Sequence, residues 1–187
     1  MIRNVYVQDC VFEETGSGIR FKTRRPRGGG AENIHYNRIR MNLTGSAFNW
    51  DMLGNSQHVG ELADRLPARA INSLTPSFKN IVARNIVVER SSQFVKVNGI
   101  PESPLSNVLI EYADIKSGKL FTASDINGFT VKSAKVEAKD SVISLLGSRK
   151  LTFDEVEFIV PGNALELSVS SSEEPVFIRS KPKTIKH

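Results

Sequence analysis

Arg20 and Lys22 are the two residues whose types and spacing most clearly indicate chemistry. They alternate with Ile19 and Phe21, and in an extended strand alternate side chains point to the same side, about 7 Å apart. A guanidinium binds a carboxylate through two parallel N–H groups, and a neighbouring ammonium adds a point charge. The pair therefore predicts a carboxylate-binding site. An exposed strand with solvated basic residues is the alternative interpretation.

A cluster of positive charge surrounds this pair. Residues 20–27 hold five basic residues and no acidic one, and residues 179–187 hold four basic residues and no acidic one. The formal net charge of the 187 residues is +5, but the rest of the chain has 16 basic and 20 acidic residues. Because the excess is confined to one loop-like cluster and the C-terminal tail, no nucleic-acid partner is expected. No apolar stretch approaches the ~20 residues that cross a bilayer, and no export signal is recognisable, so no membrane partner is expected either.

The remaining candidates for chemistry are weaker. The run Gly28-Gly29-Gly30 lacks the Gly-Lys-Ser/Thr of a phosphate-binding loop, so it predicts a flexible loop. The single cysteine, Cys10, is predicted to be a small core residue rather than a nucleophile. The histidines, His35, His58 and His187, show no metal-ligand spacing. No metal site and no cofactor are predicted.

Six segments share one apolar pattern, and this repeat predicts the fold. Each has apolar or small residues at offsets 0, 2, 5 and 7 from an anchor, and a second inward pair is expected at offsets 14 and 16, as at Leu165 and Leu167. The fourth segment differs, with Leu120 and Thr122 two residues early. Spacing of two is strand periodicity, and the step of three is interpreted as a bend that keeps both pairs facing inward. The anchors are Val5, Ile34, Ile81, Val108, Phe129 and Leu151.

The repeat predicts an all-β fold, specifically a parallel β-helix of about six rungs, because units of this size bury their apolar faces only by stacking. A β-sandwich is the alternative, but it needs hairpin signals between strands, and the sequence offers only scattered ones. One β-helix domain is predicted at 1–170. A C-terminal strand and basic tail are predicted at 171–187.

GIRFKT at 18–23, followed by AENIHYNRIRM, is the first of several stretches that resemble one known protein family. It is similar to the G-[IV]-R-[IF]-K-T segment of glycoside hydrolase family 28, the polygalacturonases and related pectin hydrolases, in its bacterial members. TPSFKNI at 75–81 and NGIPESPLSNV at 98–108 are similar to later rungs. The resemblance covers almost the whole chain and implies a right-handed parallel β-helix.

The resemblance also implies a substrate site. In the family, the Arg and Lys of this segment bind the galacturonate carboxylate beside the cleavage point, which carries over to Arg20 and Lys22. Arg24, Arg25 and Asp51 are further candidates for substrate contact. An acidic polysaccharide or oligosaccharide is therefore the expected partner. A periplasmic or extracellular location is implied by the resemblance alone.

The catalytic residues of that family have no counterpart in this sequence. Inverting hydrolysis uses one carboxyl group as general acid and a second to activate water. The family places them in an N-[TS]-D segment and an Asp-Asp pair, with a G-H-G histidine, and none of these occurs here. The chain therefore resembles the C-terminal part of a polygalacturonase-like hydrolase, truncated at its N-terminal end. No catalytic residue is predicted, and the chain alone is expected to be inactive.

Two functions follow from these observations. The first is the substrate-carboxylate portion of a glycoside hydrolase that acts on pectic or other uronic-acid polysaccharide of the cell wall. The alternative is a non-catalytic β-helix module that binds acidic polysaccharide or mediates assembly. A first rung without a cap predicts self-association through the N-terminal end, or pairing with an upstream fragment of the same enzyme.

Overall fold

The computed structural model describes residues 1–186, so His187 of the predicted basic tail lies outside the described residues. Within this range the strands form two parallel sheets of seven strands each. The first sheet consists of β1 (Ile2–Thr15), β3 (Gly30–Leu43), β5 (Ser77–Arg90), β7 (Leu105–Ser117), β9 (Ile126–Ala138), β11 (Arg149–Ile159) and β13 (Val176–Ile178). The second consists of β2 (Ile19–Lys22), β4 (Ser46–Asp51), β6 (Gln93–Asn98), β8 (Lys119–Ser124), β10 (Val142–Leu146), β12 (Leu165–Ser170) and β14 (Ile185–Lys186).

Successive strands alternate between the two sheets, and each pairs in parallel with the next strand of its own sheet. The six predicted anchors are register partners from β1 to β11. The chain is therefore all-β and consistent with a β-helix-like solenoid, as the repeat predicted. Parallel pairing in both sheets excludes the hairpin-built sandwich that was the alternative.

Helical structure is sparse in residues 1–186. It comprises α1 (Ser56–Val59) and two short 3-10 turns, Gly60–Ala63 and Pro161–Asn163. No helix in this range is long and apolar enough to span a bilayer.

Left-handed backbone conformations divide the long strands of the first sheet into straight segments. The first bend lies one residue before the anchor, where φ is 55° to 57° at Asn4, Asn33, Asn80 and Asn107. The second bend lies four residues after it, with positive φ at Asp9, Arg38, Asn85, Tyr112, Ser133 and Glu155. Asparagine tolerates this region because its short polar side chain can hydrogen-bond locally. The step of three in the repeat is therefore a bend, as predicted, and the residue before each anchor forms a further bend, with asparagine there in four of the six segments.

The asparagines of the first bend form a hydrogen-bonded ladder across four strands. The Asn33 side-chain amide donates to Asn4 Oδ1 at 3.1 Å, and Asn80 donates to Asn33 Oδ1 at 3.0 Å. Asn107 donates to Asn80 Oδ1 at 3.1 Å. The two interior amides thus both donate and accept along the solenoid axis. The next rung has Gly128 at this position, with φ of 84° and no side chain to extend the ladder.

The inward residues of the rungs form one continuous apolar core. At its centre the Trp50 ring contacts Phe21, Phe48 and Phe129, with ring centroids 5.8 to 6.2 Å apart. The inward residues of β1 are only partly buried, because β1 has a neighbouring strand on one side only. These residues are Val5, Val7, Cys10 and Phe12.

One predicted inward pair of the second sheet was wrong. In the fourth segment the inward pair begins at Phe121 rather than Leu120, and Thr122 is exposed. In the sixth segment the predicted pair, Leu165 and Leu167, is buried, and Leu167 is the register partner of Ile143. The turns that join the two sheets differ in length, so a fixed offset from the anchor does not locate every strand of the second sheet.

The C-terminal residues contribute one strand to each sheet. β13 pairs with β11, and β14 pairs with β12. The Phe177 ring stacks on Phe153, with centroids 5.2 Å apart. The two sheets therefore continue beyond residue 170.

Candidate functional site

Arg20 and Lys22 lie on the outer face of the second sheet. Both side chains are exposed, whereas Ile19, the first residue of β2, is buried. β2 pairs with β4, which places Arg20 beside Asn49 and Lys22 beside Asp51. Neither cation has a hydrogen bond or an ion pair with any residue in 1–186. The predicted arrangement of two adjacent outward cations is therefore present.

The strand register extends these two positions into two rows along the solenoid axis, with neighbouring strands about 4.8 Å apart. The Arg20 row consists of Arg20, Asn49, Lys96, Thr122, Ser144 and Ser168. The Lys22 row consists of Lys22, Asp51, Asn98, Ser124, Leu146 and Ser170. These two rows thus consist mostly of amides and hydroxyls, and their cations lie on β2 and β6.

Lys96 is a third free cation on this face. It is exposed and has no hydrogen-bond or ion-pair partner in the described part of the chain. Its neighbours Val95 and Val97 are buried, so its side chain points outward as that of Arg20 does. Two strands separate Lys96 from Arg20, which corresponds to about 10 Å.

On the outer face of the first sheet, several arginines form ion pairs with acidic residues of adjacent strands. In-register stacking brings side chains of adjacent rungs close together on both sheets, and on the first sheet it joins opposite charges. The pairs are Arg3–Glu32, Arg38–Asp9, Arg84–Glu111 and Arg179–Asp154. The Arg20 row contains no acid, so its cations remain available to a ligand.

Asp51 connects this face to a long connection between β4 and β5, residues 52–76, which we call the excursion. Asp51 Oδ1 accepts hydrogen bonds from the backbone N–H groups of Leu53 at 3.1 Å and Gly54 at 3.3 Å. One carboxylate oxygen therefore fixes the first turn of the excursion. Oδ2 has no hydrogen-bond partner within residues 1–186.

Arg25 anchors the excursion from a buried position. Its Nε and Nη2 donate to the two carboxylate oxygens of Glu102, each at 2.6 Å. Nη1 donates to the carbonyls of Asp64 at 2.6 Å and Leu62 at 3.4 Å, and Nη2 donates to that of Arg65 at 3.4 Å. All five N–H groups of the guanidinium are engaged. The Arg25 and Glu102 side chains are each 4% exposed, so the geometry favours a structural role for Arg25 over contact with a ligand.

The Glu102 carboxyl is held in its charged form. Burial raises its pKa, but hydrogen bonds from Arg25 and from the backbone amides of Glu102 and Arg69, together with the charge of Arg25, outweigh this effect. The pKa of Glu102 consequently lies below its ordinary value. A charged carboxylate thus faces a charged guanidinium inside the protein.

A second ion pair ties the excursion to the fourth rung. Arg65 Nε and Nη2 donate to the two carboxylate oxygens of Asp125, each at 2.7 Å. The Asp125 side chain is 2% exposed and that of Arg65 is 20% exposed. The bond to Asp125 raises the pKa of Arg65 above its ordinary value. The excursion is therefore fastened at two points by bidentate arginines.

Arg24 and the glycine run lie beside the cation pair. The Arg24 side chain is half-buried and packs over Gly54, the second residue whose amide Asp51 binds. At Gly30, where φ is 133°, an added Cβ would lie 1.7 Å from the Ser77 carbonyl oxygen. The glycine run therefore allows β3 and β5 to approach closely at their first residues, and it does not form a cradle that opens a helix.

Sequence reasoning missed Lys96, Glu102, Arg65 and Asp125. A signal for Lys96 existed, because Val95 and Val97 flank it as Ile19 and Phe21 flank Arg20. The acidic partners of Arg25 and Arg65 gave no such signal, since the residues of each pair are 77 and 60 positions apart in the sequence.

Comparison of the chain with models of protein families, with curated proteins and with solved structures finds no match. Within residues 1–186, no group of three or more histidine, cysteine, aspartate or glutamate side chains is arranged to hold a metal ion.

Proposed function

We propose that this chain is the C-terminal portion of a polygalacturonase-like glycoside hydrolase, and that its second sheet binds carboxylates of a pectic or other uronic-acid polysaccharide. With this function we propose a right-handed β-helix of about six rungs, because parallel strands joined by crossover connections are right-handed in nearly all proteins. The resemblance of GIRFKT and the later segments to family 28 supports both proposals.

The observation that carries the proposal is the free pair of cations on β2. Arg20 and Lys22 project from the same face of a strand and lack partners in residues 1–186, whereas arginines such as Arg3 and Arg84 on the first sheet are paired with acids. Two like charges about 7 Å apart repel, and a bound anion removes that repulsion. A planar guanidinium next to an ammonium matches a carboxylate in geometry and charge.

The surrounding groups suit a carbohydrate. Asn49 and Asn98 offer both donors and acceptors, and Asp51 offers an acceptor, as sugar hydroxyls require. Because the side chains stand on paired strands rather than on a loop, little backbone conformational entropy is lost when a ligand binds.

The test is the affinity of digalacturonate for the 187-residue chain, measured by calorimetry. Arg20→Ala is expected to weaken binding about tenfold, since it removes a charged hydrogen-bonding group from a partly solvated contact. Arg149→Ala is the matched control, because Arg149 is exposed on the first sheet and unpaired within residues 1–186. Affinity is expected to fall as salt concentration rises. Equal losses in both variants, or none, would refute the proposal.

A non-catalytic module that binds acidic polysaccharide is the second candidate. The sequence favours it through the absence of N-[TS]-D, Asp-Asp and G-H-G. Both candidates predict the same binding result, so the discriminating observation is the DNA upstream of this coding segment. An open frame there encoding the three motifs supports the hydrolase, and its absence there and in neighbouring genes supports the module.

A further inference from the structure

Within the Arg20 and Lys22 rows, charge alternates across the first three strands of the second sheet. β2 presents Arg20 and Lys22, β4 presents Asn49 and Asp51, and β6 presents Lys96 and Asn98. The first and third strands are therefore cationic, and the strand between them carries a negative charge. β8 continues the face with the hydroxyls of Thr122 and Ser124.

This alternation restricts where acid groups of a polymer can lie. A carboxylate is attracted to β2 and to β6, but over β4 the Asp51 carboxylate repels it. The two attractive positions are about 10 Å apart, because strands in a sheet are spaced by about 4.8 Å. That separation is close to the length of two linked pyranose rings.

In an extended 1,4-linked uronate chain with a two-fold twist, successive carboxylates project from opposite edges. One edge then presents a carboxylate at every second sugar. With that edge against the sheet, the carboxylates of sugars one and three reach β2 and β6. The middle sugar directs its carboxylate to solvent and offers hydroxyls to Asn49 and Asp51, which can accept hydrogen bonds from them.

We infer that Lys96 is a second carboxylate-binding residue, and that the face recognises alternate sugars of an acidic chain lying along the solenoid axis. This inference rests on the proposed function, which assigns the first carboxylate to Arg20 and Lys22. It adds a length requirement, since only a chain of at least three sugars reaches both cationic strands.

The experiment compares digalacturonate with trigalacturonate on the 187-residue chain by calorimetry. For the unmodified protein, the trimer is expected to bind about fivefold more tightly than the dimer, the size of one partly exposed ionic contact. Lys96→Gln is expected to abolish this advantage while leaving the dimer affinity unchanged. Lys119→Gln is the matched control, because Lys119 is exposed on the same sheet, outside both rows, and unpaired within residues 1–186.

The outcomes separate the inference from the proposed function. If Lys96→Gln weakens dimer and trimer equally, or neither, the role of Lys96 is refuted. The proposed function survives that result as long as Arg20→Ala still weakens the dimer. If Arg20→Ala leaves the dimer affinity unchanged, the proposed function itself fails. An equal urea midpoint for Lys96→Gln and the unmodified protein verifies that the fold is intact.

Discussion

Replacing Arg25 by methionine tests whether the buried ion pair holds the excursion. The substitution keeps an unbranched side chain but removes all five hydrogen bonds, of which two go to Glu102 and three to carbonyls of the excursion. Glu102 is then left charged at 4% exposure with no cation beside it. Breaking a buried pair in this way costs roughly 3–5 kcal/mol, so we expect the free energy of unfolding at pH 7 to fall by about that amount.

Detachment of the excursion limits this cost. When residues 52–76 move away, water reaches the Glu102 carboxylate and the freed carbonyls, and the penalty becomes the free energy of that local opening. We therefore expect trypsin to cleave Arg25→Met faster than the unmodified chain after Arg65 and Arg69. Urea unfolding and limited proteolysis together report the global and the local effect.

The loss of unfolding free energy in Arg25→Met is expected to depend on pH. In the unmodified protein the pKa of Glu102 is lowered, so its pairing stabilises the fold above the ordinary carboxyl pKa, and this contribution is lost as pH falls through the folded-state pKa. In Arg25→Met, burial without a cation raises the pKa of Glu102, so the carboxyl becomes neutral at a higher pH. The destabilisation is consequently expected to be smaller near pH 4 than at pH 7.

Two further variants complete this test. Arg25→Met combined with Glu102→Leu is expected to recover about 2 kcal/mol of the loss at pH 7, because no unpaired charge remains buried. Arg149→Met removes an exposed arginine and is expected to change stability by less than about 0.5 kcal/mol. A loss below about 1 kcal/mol for Arg25→Met, independent of pH and without faster cleavage, would refute the assignment of Arg25 as the anchor of the excursion.

Three other predictions concern the ladder, the chemistry and the assembly. Asn80→Ala should lower the free energy of unfolding by roughly 1 kcal/mol more than Asn80→Gly, because both remove two ladder hydrogen bonds but only alanine strains the left-handed bend; equal losses in urea unfolding would contradict this. On the proposed function, the chain alone should release no reducing sugar from polygalacturonate, since the N-[TS]-D and Asp-Asp motifs do not occur in its sequence; release that depends on any one aspartate would overturn it. The 187-residue chain should self-associate through β1, the edge strand of the first sheet. A 20.7 kDa monomer in light scattering, with hydrogen-exchange protection of residues 4–12, would speak against that mode of assembly.

The fold was largely predictable because its information is local and periodic. Each anchor has inward neighbours at fixed offsets, and stacking in register is the arrangement that buries them all. Register in turn determines which outward residues are neighbours, so the position of Lys96 in the Arg20 row follows from the repeat. The second sheet was less predictable in its fourth segment, because a turn of different length places Phe121 rather than Leu120 in register with the inward residues of the neighbouring strands.

The parts that were not predictable depend on residues far apart in the sequence. The excursion has no apolar periodicity, and it is fastened by polar contacts whose partners lie in other rungs. In the sequence, a buried arginine cannot be distinguished from a solvated one when both follow a strand that carries basic residues. The role of Arg25 therefore becomes clear only once the path of residues 52–76 over Glu102 is known.

The basic residues of the cluster at 20–27 do not contribute equally to the charge outside the protein, because Arg25 is buried and Arg20 is exposed. Arg25 is neutralised by Glu102 and contributes little field outside the protein, although sequence counting gives it the same weight as Arg20. Lys96 lies outside the cluster, yet register brings it to the same face. The free charge on this face is therefore set by strand position, through Arg20, Lys22 and Lys96, and the proposed acidic ligand would meet it along the solenoid axis rather than at the loop at 23–29.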